Sequence, residues 1–88
     1  MYAELGGKRW KVEFGDPGRG TDGICDKPTT KGKRIVLRSS LRRNPVRLAE
    51  TAIHEAMHAT QWCLDEEAVA EWAADIARLL NRLGVIRE

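Results

Sequence analysis

The sequence predicts an α+β domain in which a small antiparallel sheet of two or three strands precedes two packed helices. Three observations carry this reading. Polar and apolar residues alternate from Arg9 to Phe14, a β-branched centre lies between charges from Arg34 to Arg38, and two capped helical patterns fill the chain after Asn44. At 88 residues the chain forms one domain, 1–88, with no room for a second core.

The elements follow in order. Trp10, Val12 and Phe14 share one face of the first strand. Gly15 to Gly23 is crowded with turn formers and reads as a mobile loop. Gly23 to Asp26 forms a short extended piece closed by Lys27-Pro28, and Arg34 to Arg38 forms the second firm strand. Asn44-Pro45 starts a helix, because Asn caps free N–H groups and proline at the first helical position forfeits no hydrogen bond. This helix runs to about Trp62 and buries Leu48, Ala52, Met57 and Ala59. Asp65 caps a second helix that Gly84 stops, with Val69, Trp72, Ala73, Ile76, Leu79, Leu80 and Leu83 on one stripe. Trp10, Trp62 and Trp72 read as core filling.

Composition narrows the function classes. Charged residues make up 32% and apolar residues 42% of the chain, and no apolar run approaches the roughly 20 residues of a membrane span. The N-terminus shows no basic segment followed by an apolar stretch, so the expected location is cytoplasmic. Cys25 and Cys63 have no metal-knuckle spacing and are expected as free thiols, Cys25 buried as a small apolar residue. Residues 1–47 hold 12 Lys/Arg against 5 Asp/Glu, whereas residues 48–88 hold 3 against 8. Within the basic half, the segment 31–47 (Lys31, Lys33, Arg34, Arg38, Arg42, Arg43, Arg47) offers a weak nucleic-acid contact or a solvated face. No membrane partner is expected, and the chain is expected to be a monomer.

The chemistry lies in His54-Glu55-Ala56-Met57-His58. Two histidines four apart on a helix leave one face about a turn apart and can share one Zn²⁺, while Glu55 points aside, placed to take a proton from zinc-bound water. The flanks Thr51-Ala52-Ile53 and Ala56-Met57 carry no charge, as a helix beside a dry metal site requires. Two other arrangements fit the same triplet: histidines satisfied by hydrogen bonds, and a purely structural zinc with four protein ligands.

Catalytic zinc takes three protein ligands, and the acids of the second helix are the nearby supply. Helical phase puts Glu66 on the stripe of Val69 and Ala73, with Glu67, Glu71 and Asp75 opposite. Phase therefore favours Glu66, whereas a tight hairpin near Leu64 would favour Glu71.

With these residues in view, the chain resembles the small phage- and prophage-type zinc metallopeptidases, minimal relatives of the SprT-like and ImmA/IrrE-like proteins. The likeness runs through the strands Arg9 to Phe14 and Arg34 to Leu37, Gly23 to Asp26, the zinc motif within Thr51 to Ala59, and Leu64 to Val69 opening the last helix. Gln61-Trp62-Cys63 stands where such relatives often carry a Pro-Asp pair. The resemblance implies a zincin-like fold, and its Glu-x-x-Val segment supports Glu66 as third ligand. The expected function is zinc-dependent hydrolysis of peptide bonds, with His54, His58 and Glu66 on the metal, Glu55 as general base and a peptide or protein as substrate. The alternative is a non-catalytic, zinc-stabilised module that binds DNA or a protein through its basic N-terminal half.

Overall fold

A computed structural model of the protein describes residues 1–86. Four strands, β1 (Tyr2–Leu5), β2 (Lys8–Gly15), β3 (Gly23–Cys25) and β4 (Arg34–Arg38), precede a 3₁₀ turn at Ser39–Arg43 and the helices α1 (Pro45–Thr60) and α2 (Glu66–Arg82). The α+β class is as the sequence predicts, but the sheet has four strands in the order β1-β2-β4-β3 and is mixed.

β1 is the additional strand. Gly6 and Gly7 adopt φ of 59° and 74°, the left-handed pair that a two-residue hairpin needs, and they bring Leu5 opposite Lys8. The parallel partnership arises because the chain leaves β2, runs back along β3 and turns again. β3 and β4 are then antiparallel, and β4 comes to lie parallel to β2 with Val12 opposite Ile35. A hydrogen bond from the Arg34 N–H to Asp26 Oδ2 (2.9 Å) closes that second turn.

The sheet turns one face to α1. Trp10, Ile35, Leu37 and Ala59 form the buried core, with Leu5, Val12, Cys25, Leu48 and Ala52 packed around it. The Trp10 indole N–H is satisfied by the Leu5 carbonyl at 3.2 Å, so this large side chain is buried without an orphaned polar atom.

α1 starts as its sequence requires, with the Asn44 side chain accepting from the Arg47 N–H and proline in the first turn. Asp65 caps α2 in the same way through the Ala68 N–H, and Glu66 and Glu67 sit at the positive end of the helix dipole. α2 packs on the side of α1 through Val69, Ala73 and Ala77, all buried. This corrects the single buried stripe expected for α2: Trp72, Ile76, Leu79 and Leu83 are exposed, as is Trp62. Only one edge of a broad apolar stripe meets α1, and of the three tryptophans only Trp10 fills the core.

The Gly15–Gly23 loop is held by side chains. The Arg38 guanidinium donates to the carbonyls of Gly18 and Thr21, and Arg47 Nε donates to Asp22 Oδ2 at 2.7 Å. Among the described residues no helix is long and apolar enough to cross a membrane.

Candidate metal centre

The centre is assembled by the two helices. α1 presents His54 and His58 from consecutive turns, their ring centroids 5.0 Å apart. After Thr60 the backbone leaves the helix at an extended Gln61, reverses through Trp62 to Leu64, and begins α2 alongside the middle of α1. The first residue of α2 therefore stands level with both histidines. Glu66 Oε1 lies 2.7 Å from His54 Nε2, and Glu66 Oε2 lies 2.8 Å from His58 Nε2. Glu67 and Glu71 are exposed and are not part of this group.

The three donors fit a metal ion. One donor atom from each of His54, His58 and Glu66 lies within 4.8 Å of the others, so the group can hold a cation. The His58 ring supplies a second indication. Its Nε2 is buried and, despite its closeness to Glu66, meets no partner in hydrogen-bonding geometry. A buried nitrogen left without a hydrogen bond is costly, and a metal would use its lone pair. Trp62 shields this ring edge-on, at 6.3 Å between centroids.

Glu55 is buried on the neighbouring face of α1, towards β3. A Cβ at Gly23 would come within 2.9 Å of Thr51 Cγ2 and 3.2 Å of Glu55 Oε2, so only glycine lets the strand approach this closely. Burial pushes the Glu55 carboxyl above its ordinary range and Glu66 adds to the rise, while charge on His54 and His58 opposes it. Cys25, in the same strand, is driven to about 12 by burial first and then by the negative charges of Glu55 and Asp26, so it remains a thiol.

A cleft of about 640 Å³ opens over the centre, walled by β3 on one side and by Trp62 and Leu64 on the other. Asp22, Glu50, Glu55 and Glu66 line it together with the histidines, and among the described residues no Lys or Arg does. Glu50 and Asp22 are additional to the site residues expected from sequence. Glu50 was within reach of the same reasoning, since it precedes His54 by one helical turn. Asp22 and Gly23 reach the cleft only through the course of the loop.

The basic segment is dispersed by the fold. Arg38 and Arg47 tie down the loop, Arg34 pairs with Glu13, and Arg42 stacks on Phe14. Comparison of the chain with protein-family models, with curated proteins and with solved structures finds no match.

Proposed function

We propose that this protein is a zinc-dependent metallopeptidase of the zincin class. The observation that carries the reading is the convergence of two imidazole nitrogens and one carboxylate beside a buried glutamate, in the lining of an open cleft. Two histidines and a glutamate are a donor set used by catalytic zinc, leaving a position for water or substrate. When bound there, Zn²⁺ supplies Lewis acidity that polarises a substrate carbonyl and acidifies a water molecule.

The remaining steps belong to the chain. His54, His58 and Glu66 would hold the ion. Glu55 accepts the proton of the attacking water and delivers it to the departing amine, and a carboxyl raised by burial is suited to both transfers. Among the described residues β3 ends the sheet and pairs only with β4; its Gly23 carbonyl accepts from Thr21 Oγ1 (2.8 Å), and the other outward backbone groups of Gly23–Cys25 form an edge beside the cleft. An extended peptide can add there as a further strand, which would carry its scissile bond towards His54, His58 and Glu66.

The test compares the wild type with Glu55→Gln on a mixed peptide substrate, with zinc measured in the same samples. The variant is expected to keep about one zinc per chain and lose hydrolysis by at least about a hundredfold. Equal absence of hydrolysis in both proteins, with zinc still bound, would instead leave the non-catalytic module.

A further inference from the structure

The outer face of α2 carries an apolar seam that α1 does not cover. Trp72, Ile76, Leu79 and Leu83 are 44%, 40%, 55% and 66% exposed, and their spacing of four, three and four residues is the heptad rhythm of a helix that packs along another helix. Val85 extends the patch just beyond the helix. Together these side chains expose on the order of 500 Å² of apolar surface, at the upper end for a solitary chain.

Charge along the same helix specifies the partner. Glu66, Glu67, Glu71 and Asp75 occupy the N-terminal half of α2, and Arg78 and Arg82 the C-terminal half. At 100° per residue, Asp75 and Arg82 flank the seam on its one charged side, because Ala73, Ala77 and Leu80 lie on the other side towards α1.

We infer that α2 is a homodimer interface in which two copies of this chain pair through antiparallel α2 helices. In that arrangement Ile76 of each copy packs on Leu79 of the other, and Trp72 packs on Leu83. Asp75 of each copy, which pairs with Arg78 on its own helix, then also faces Arg82 of the other, giving two equivalent cross-pairs from one two-fold axis. A parallel pair would place the acidic halves together and the basic halves together. The two faces bury about 1,000 Å² in total, the lower bound for a specific interface, so the dimer is weak and concentration-dependent. The inference is independent of the metal and of hydrolysis, since the seam lies outside the cleft.

Sedimentation equilibrium of the full chain from micromolar to millimolar concentration tests it. The wild type is expected to rise from 9.9 kDa towards twice that mass. Leu79→Lys should abolish the rise while leaving circular dichroism and melting unchanged, because Leu79 is already exposed. Asp75→Arg and Arg82→Asp should each weaken association about tenfold or more, since each sets like charges opposite one another twice. Mixed in equal amounts, these two variants should associate as tightly as the wild type, because only the mixed dimer restores both opposite-charge pairs. A wild type that stays at 9.9 kDa at millimolar concentration overturns the proposal, as does association that Leu79→Lys leaves intact. A mixture no tighter than its components overturns the antiparallel pairing.

Discussion

Trp10 and Trp72 are the same side chain in two regions that differ in how completely the fold uses them. Trp10 lies between the sheet and α1, is fully buried and has its indole N–H satisfied. Trp72 lies on α2 and is nearly half exposed. The sheet and α1 form two layers that cover each other, whereas α2 is a third layer held by three small side chains along one edge and by Glu66 at its start. The two-layer core rests mainly on apolar burial, with Thr51 and Glu55 buried where α1 meets β3. The attachment of α2 also brings Glu66 against His54 and His58, so a metal held by these three residues would join the stability of the third layer to the candidate centre.

The largest effect expected from this contrast is in the core. Trp10→Ala should cost about 3–5 kcal/mol, enough to unfold much of so small a domain. Chemical denaturation would measure it, and a loss under about 1 kcal/mol would mean that the two regions are not distinct.

Removal of metal should rank next and act on the other region. At a hundredfold excess over its Kd, bound zinc adds about 2.7 kcal/mol, so chelation should lower the melting temperature by at least about 10 °C. Glu66→Gln should reproduce most of that loss, with Glu67→Gln and Glu71→Gln close to the parent. Hydrogen exchange sharpens the comparison: amides of α2 should lose protection before those of β2 and β4. Uniform loss across both regions would contradict a separately attached third layer.

A smaller effect is expected within the two-layer region, where β3 meets α1. Gly23→Ala forces a methyl group against Thr51 and Glu55, and overpacking of this kind costs about 1–3 kcal/mol. Hydrolysis should fall more than stability does, because Glu55 is the side chain displaced. Unchanged turnover in a folded variant would remove Glu55 from the reaction.

The smallest effect concerns the thiols. Cys63 is exposed, whereas Cys25 is held near a pKa of about 12. Between pH 7 and 9, iodoacetamide should alkylate Cys63 rapidly and leave Cys25 unmodified until the protein unfolds. The sign of the linkage follows from that raised value. The contribution of Cys25 is intact below the ordinary thiol value of 9.0 and is lost as pH rises towards 12, once the unfolded chain can ionise and the folded chain cannot. Equal alkylation rates for the two thiols would show that β3 does not stay packed on α1.

How much of this was legible in the sequence depended on the distance over which each contact acts. The facing of His54 and His58 is a property of one helix and follows from spacing alone. The position of Glu66 needed only helical phase and a choice of turn, and the reversal after Gln61 brings Glu66, not Glu71, beside the two histidines. β1 escaped detection because four residues with weak alternation become a strand only through the Gly6-Gly7 turn. The parallel β2–β4 pairing depends on where two loops take the chain, which local pattern does not encode. Apolar phase located the stripe on α2 correctly, but how much of it α1 can cover is a matter of tertiary geometry. The same holds for Gly15 to Gly23, which reads as a free loop until Arg38 and Arg47 arrive from distant positions.

The donors of the candidate metal centre are also close along the chain, with His54 and Glu66 only twelve residues apart. Closing so short a loop has a small entropic cost, whereas pairing Lys11 with Arg34 across β2 and β4 spans nearly twice that separation. Zinc present during refolding would therefore act on a local hairpin of helices and could clamp it before the sheet has found its order. We expect the ion to speed the folding reaction as well as slow its reversal, a kinetic role for the candidate centre beside its chemical one.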